Sequence, residues 1–461
     1  MSLDVAINVA RQSLLASQYQ IALSGRNVAA AGDPDRSRAA ATLATTIDGG
    51  VRVASVRRAE DLAVFNRMIT ATAATAERDA VLTQLEVIAE TVGDPENGTS
   101  VGALIGDLQS ALADYSNAPD DPLFGRSVVE RARDVTDALR RVSNDLLLAR
   151  EEADRNMAES VDEVNRLLGE FDEANRAVVI ATISGNDATM HLDRRDAIVS
   201  DLSAHLGITT LRRENDDLAL FTEGGVTLFD RQARPVSFER TAVYTSGTIG
   251  GEVSVDGVIV TGSGAPMPST TGKIVGHALV RDTVVPTYQL QMDEIARELT
   301  DIFEDGIGSL FVNNGGPDYA GSIEIAPDVD PSQGGAVENL RDGTGNASGF
   351  AAYPDRLLAL GAQMSAATAF DPNAELIDSG SILDFATQSA GWLEGLRMSV
   401  QIDADTEAAI LLQASDALSR ATGVNLDDEY ARQLMLERSF NASSRLIGMI
   451  DEMFDTLLRI V

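Results

Sequence analysis

The chain has 461 residues, 71 of them acidic and 36 basic, for a formal net charge of −35. Nucleic-acid phosphates and anionic membrane surfaces call for patches of Lys and Arg, so this balance points away from both and toward a well-solvated surface. There is no cysteine, which excludes disulfides and thiolate metal sites, and no apolar run approaches the roughly 20 residues of a membrane-spanning helix.

The opening "MSLDVAINVARQSLLASQYQ" has no basic n-region, no continuous apolar core and no cleavage site. It does not read as a secretory signal peptide, which leaves the cytoplasm or export by a route without a cleaved signal. Residues 2–31 form the first predicted helix. Leu3, Ile7, Ala10, Leu14, Ser17, Ile21, Ser24, Val28 and Ala31 alternate at spacings of four and three, a coiled-coil seam whose small residues allow close approach. Pro34 stops it. A second helix is predicted over 57–93, then helices at 101–116, 123–184 and 190–206.

The character changes near Gly207. "LALFTEGGVTLFD" reads as two strands around Glu223-Gly224-Gly225, and "EVSVDGVIV" as a hairpin around Asp256-Gly257. Residues 207–283 are therefore predicted to be a β-rich insert. Helix returns at 286–304 after Pro286. An irregular Gly- and Asp-rich region with two strands fills 306–350. Helices follow at 354–369, 381–422 and 426–461. In the last of these, Leu436, Phe440, Ser443, Ile447, Ile450, Phe454, Leu457 and Val461 repeat the four-three spacing, and Leu446, Met449, Met453 and Leu458 widen the apolar stripe.

A two-helix seam needs only the narrower set, so the wide stripe implies more than one neighbour. At 1.5 Å per residue the two end helices span about 45 and about 54 Å, close enough to lie side by side. Such a helix is marginal alone and needs partners. Charges of both signs flank the seams, with Arg11 and Arg26 at one end and Arg432, Arg438, Arg445 and Arg459 at the other, placed to pair across the helices. If the rest of the chain supplied every partner, the pair would be an ordinary intramolecular hairpin. Otherwise other subunits complete the surface.

No catalytic constellation emerges. His191 lies near Asp193 and Asp196 but has no second histidine at i+4, so no metal is expected there. "PSTTGKIV" lacks the glycine and the Ser or Thr of a phosphate loop, having Met267 and Ile274 in their places. Asp328 and Asp330 lack the glycine and distal Glu of a calcium loop. Sequons at Asn97, Asn346 and Asn441 are short patterns that chance supplies. The chain is not expected to be an enzyme, nor to carry a cofactor.

Three stretches resemble a family. "SGRNVAAAGDPDRSR" is similar to the end of the first helix in flagellar axial proteins through Asn27, Val28, Ala29, Pro34, Ser37 and Arg38, with Asp35 and Arg36 in place of the usual Gly-Tyr. "HLDRRDAIVSDLSAHLGI" resembles the Leu-Asp-x-Arg-Asp segment of hook-associated protein 1, the FlgK family, through Leu192, Asp193, Arg195, Asp196, Leu202, Ser203, Gly207 and Ile208. "TGVNLDDEYARQLMLERSFNASSRLIGMIDEMFDTLL" is similar to that family's C-terminus through Gly423, Val424, Asn425, Leu426, Asp427, Glu429, Phe440, Ala442, Ser443, Met453, Asp455, Thr456 and Leu457. "SNAPDDPLFGRSVVERA" fits the same pattern.

The resemblance implies a structural protein of the extracellular bacterial flagellum, self-assembling into the zone between hook and filament. Its implied partners are copies of itself, hook protein and the third hook-associated protein. A cytoplasmic flagellar chaperone would hold the C-terminal helix before unfolded passage through the type III export apparatus. The expected fold is α+β and elongated. A terminal-helix coiled coil would join 1–33 to 426–461, a mainly helical unit 34–206 to 284–425, and the β-rich 207–283 would project outward. Another axial protein, such as hook protein or the third hook-associated protein, is the alternative within the class. A soluble coiled-coil adaptor is the alternative outside it.

Overall fold

The computed structural model describes residues 3–92 and 98–460. Asn97 and Val461 lie outside the described residues, as do the side chains of Leu3 and Leu457. Helix α1 (Leu3–Ala29) is followed by an antiparallel hairpin, β1 (Ala39–Thr45) and β2 (Val51–Arg58), with a register shift between Thr42 and Leu43. This hairpin corrects the helix predicted from residue 57. Helix α2 (Leu62–Val92) starts later, because the Asp61 carboxylate caps it by accepting from the Ala63 and Val64 amides, both at 3.1 Å. The alternating Val51 and Val53, and Gly49 at φ 84° in the turn, are the strand signals that decide the segment.

Three further helices follow: α3 (Val101–Asn117), capped by Ser100; α4 (Pro122–Ile183), capped by Asp121; and α5 (Thr189–His205). Strands β3 (Ile208–Arg212), β4 (Leu218–Thr222) and β5 (Thr227–Phe229) make one antiparallel sheet. Strands β6 (Val236–Ser237), β7 (Ser254–Val255) and β8 (Val258–Ile259) make another. Asp256 and Gly257, both at positive φ, form the tight turn between β7 and β8, as the Asp-Gly pair predicts.

The insert ends earlier than expected. Helix α6 (Lys273–Leu279) runs through one π turn at Val280–Val284 straight into α7 (Val285–Ile302). Pro286 sits in the first turn of α7, directly after the π turn. There the relaxed hydrogen-bond spacing accommodates the missing N–H, so the proline does not start a separate helix.

Strands β9 (Phe311–Val312) and β10 (Glu324–Ile325) pair across the short helix α8 (Tyr319–Ser322). Helices α9 (Glu338–Asp342) and α10 (Asp355–Ser365) precede the pair β11 (Thr368–Ala369) and β12 (Ser379–Gly380). Helix α11 (Ile382–Thr422) returns along α2, and α12 (Leu426–Ile460) closes the described chain.

Two hydrophobic cores share α2 and α4. One gathers Val81, Leu85 and Ile88 of α2 and Val128 to Leu146 of α4 with α3, α7, α10 and α11. The other gathers Phe65 and Ile69 of α2 and Met157 to Ala174 of α4 with α5, α6 and the strands. Leu218, Leu220, Leu228, Val253 and Val255 lie in that second core, so the β-rich segment has no core of its own. Between the cores α4 carries a polar joint. Asp154 receives Arg281 at 2.8 Å and the Tyr244 hydroxyl at 2.8 Å, and Arg281 and Asp154 are each 1% exposed. Arg150 donates to the Arg281 and Thr248 carbonyls at 3.0 and 2.6 Å and lies over the Tyr244 ring.

Candidate assembly interface

The first and last helices pair antiparallel. Ser13 meets Ser443 at 3.2 Å, Ser17 donates to Ser439 at 3.5 Å, and Ser24 donates to Glu429 at 2.6 Å, so residue numbers fall on one helix as they rise on the other. Small residues at these positions let the backbones approach. Ala10, Ser17 and Ser24 are buried, while Ile7, Leu14, Ile21 and Val28 are half-buried. On α12, Leu436, Phe440, Ile447 and Phe454 are half-buried and Ile450 is 5% exposed. The four-three spacing thus selects the facing side of each helix.

The closed end of the pair is polar. Glu429 has no exposed surface, though it sits in the first turn of α12. Its carboxylate accepts from the Ser24 hydroxyl at 2.6 Å and from the Arg38 guanidinium at 2.8 Å. Burial pushes its pKa up, but the Ser24, Arg38 and Asn27 donors outweigh it and hold the carboxyl below its usual range. Asn27 also clamps the start of β1, donating to the Ala39 carbonyl at 2.8 Å and accepting from its amide at 3.1 Å. Asn425 caps α12, accepting from the Asp427 and Asp428 amides at 2.9 and 3.3 Å. Leu426 and Asp427 are exposed there.

Asp193 and Asp196 of α5 hold the hairpin. Arg58, at the end of β2, donates to Asp193 at 3.1 Å and to Asp196. Burial pushes the Asp193 carboxyl above its usual range, although Arg58 and Ser37 donate to it. Arg195 is 1% exposed and donates to the Asn175 side-chain oxygen at 3.2 Å and to the Asp216 carbonyl. The acids beside His191 are therefore engaged in ion pairs, and His191 itself is exposed. Arg26 pairs with Asp187, at 3.0 Å, instead of with an acid of α12.

The other side of α12 is open and apolar. Tyr430, Leu434, Met435, Leu446, Met449 and Met453 are between 43% and 69% exposed. Leu15 and Tyr19 add to the exposed apolar surface on α1. Apolar surface of this extent marks an interaction face.

Residues 82–306 match the family described as flagellar hook-associated protein FlgK helical domain. Residues 417–460 match flagellar basal body rod FlgEFG protein C-terminal. By the first match the chain carries the helical domain of the FlgK family of flagellar hook-associated proteins. The first match runs from α2 through α7, and the second covers the end of α11 and all of α12. A solved structure of the flagellar hook junction protein FlgK from Burkholderia pseudomallei is similar at 19% identity and a TM-score of 0.44. The likeness covers 54% of this chain and 44% of that one, so the chain spans less than half of that structure. No curated protein matches. Like its family, the chain is a structural component of the flagellum. No described helix is long and apolar enough to cross a membrane.

Glu429 is the interface residue that sequence reasoning quoted without singling out. Counting back seven from Leu436 along the seam lands on it. An acid at an inward position requires buried donors, and Ser24 on the opposing seam is one of them.

Proposed function

We propose that this FlgK-family chain builds the junction between hook and filament, assembling through its paired end helices. The observation that carries the reading is the α1–α12 pair. Its inner seam is closed by the chain itself, while the outer face of α12 keeps Leu446, Met449 and Met453 in solvent. Copies stacked alongside would cover that face and return the apolar area to a dry environment. In this reading 1–33 with 426–461 is the assembly unit, 34–206 with 284–425 the helical unit, and 207–283 the outward β-rich part. Hook protein would lie on one side and the third hook-associated protein on the other. A cytoplasmic export chaperone would cover the α12 face before passage through the flagellar type III apparatus to the cell exterior.

The test separates pairing from assembly. Met449→Glu with Met453→Glu should leave a monomer with wild-type helical circular dichroism. In cells it should shed filaments and abolish motility. Deletion of 426–461 should do the same while leaving the central body folded. Normal swimming by either variant would instead favour a soluble adaptor role.

A further inference from the structure

Helix α11 lies along α2 with Val400, Ala404 and Ala414 buried on its inner side. On the opposite side Met398, Ile402 and Leu412 are 56%, 60% and 65% exposed. Together with Asp405, Ala409 and Asp416, all exposed, they recur at four, three, four, three and four, the spacing of a helix seam. A shallow groove follows this side past Ile402, Thr406, Ala409 and Ile410. It is a seam without a partner among the described residues.

The exposed face of α12 carries a line of the same kind. Met435, Ala442, Leu446, Met449 and Met453 are all exposed and follow one another at seven, four, three and four. From 398 to 416 and from 435 to 453, each line is about 27 Å long. The charges complement as well. Arg438 and Arg445 flank the α12 line, are exposed, and make no ion pair among the described residues. On α11, Asp416 has only Arg420, at 3.7 Å, and Asp405 only the Gln401 side-chain amide, at 3.2 Å.

One register satisfies both patterns. Run antiparallel with Ala442 facing Ala409, the two lines set Met449 against Ile402 and Met453 against Met398. Arg445 then falls beside Asp405 and Arg438 beside Asp416, and no like charges face each other along the stretch. A parallel alignment of the same two stretches puts Arg438 opposite Gln401 and Arg445 opposite Ala408, so both stay unpaired.

We infer that the exposed α12 face of one copy seats antiparallel on the outer stripe of α11 of the next copy. The inference rests on the assembly reading above and names what covers that face. The two surfaces differ, so the contact is heterologous: each copy keeps one free half, and the contact propagates instead of closing into a dimer. About 27 Å of contact by one helix width buries on the order of 300 Å² on each partner, well under the roughly 800 Å² of a stable complex. The contact therefore forms in a polymer, where others add to it, and does not hold two free chains together.

The chain has no cysteine, so an introduced pair reports without background. Ala409→Cys with Ala442→Cys is placed in one full-length chain, and flagella isolated from cells carrying it are oxidised. A ladder of dimers, trimers and higher species on a non-reducing gel is expected. The offset pair Ala409→Cys with Met453→Cys should give none. Asp405→Arg and Arg445→Asp should each lose swimming and regain it when combined, with helical circular dichroism at the wild-type value throughout, since both positions are exposed. Flagella that contain the Ala409–Ala442 pair and give no ladder would overturn this inference and leave the assembly role standing. Dimers from Ala442→Cys alone would overturn it by pairing α12 with α12, and so would a combined charge exchange that fails to swim. Absence of the wild-type chain from isolated flagella would overturn the assembly reading, and this inference with it.

Discussion

Ser24 donates to Glu429 across a sequence separation of 405 residues, and at 2.6 Å this is shorter than the Ser13–Ser443 and Ser17–Ser439 hydrogen bonds between the same two helices. Loss of the carboxylate would leave Arg38 without that partner and the closed end of the pair unlatched. Glu429→Ala should therefore cost roughly 1–3 kcal/mol of local stability. Amide exchange is the measurement. Protection should fall along α1 and α12 and stay unchanged in α3 and α4.

The same latch has a pH signature. The folded-state pKa of Glu429 lies below the unfolded value of 4.5. Its contribution is complete above pH 4.5 and is lost as pH falls through the folded value. Amide protection of α1 and α12 should collapse on acidification before that of the cores does. Glu429→Gln should remove this acid dependence, and an unchanged profile would count against the latch.

Asp293 runs the other way. Its folded pKa, about 7, is above the unfolded value of 3.8, so its contribution is full at low pH and declines as pH rises from 3.8 through 7. Asp293→Asn should raise stability at about pH 8 and flatten the slope of unfolding free energy against pH between these limits. Denaturant melts at several pH values give the readout.

The ion pair between Arg281 and Asp154 is buried on both sides. Asp154→Leu should destabilise by about 1–3 kcal/mol, because Arg281 and the Tyr244 hydroxyl lose a buried acceptor while Arg281 keeps Asp282 at 2.8 Å. Adding Arg281→Met should not recover that loss, since Asp282 then loses its own guanidinium partner. Chemical denaturation of the two variants tests the sign of the coupling.

Arg58→Ala should free the β1–β2 hairpin from α5. Asp193, buried and served by Arg58 at 3.1 Å, would retain Ser37 and the more distant Arg36 at 3.9 Å. Limited proteolysis should cut within 39–58, with helical circular dichroism close to wild type. Resistance equal to wild type would show that Asn27 and the α1 contact hold the hairpin without Arg58.

Periodicity carried most of the helical fold. The four-three spacing chose the facing sides of α1 and α12, and the Asp256-Gly257 pair placed its turn. What was not legible depended on distant partners. The β1–β2 hairpin is short and Arg-rich, and its stability comes from Asp193, Asp196 and Asn27, none of which is near it in sequence except Asn27. Pro286 reads as a helix start, and only packing shows a π turn carrying the helix across it. The strands of 207–259 looked self-contained because alternation reports a buried face without naming what covers it; that cover is α4 and α5. At the interface, the stripe of α12 was visible, but Glu429 resembled the acids that commonly open a helix.

Helix α4 runs 62 residues without a break, about 93 Å, and passes through both cores. A bend or torque delivered at its Pro122 end reaches the Ile183 end through one hydrogen-bonded rod, with no loop in which to dissipate. At mid-length Arg150 and Asp154 fasten it sideways to the π turn and the 245–248 segment, like a rivet through a lever. Mechanical strain on the molecule is thereby shared between its halves, and they swing together.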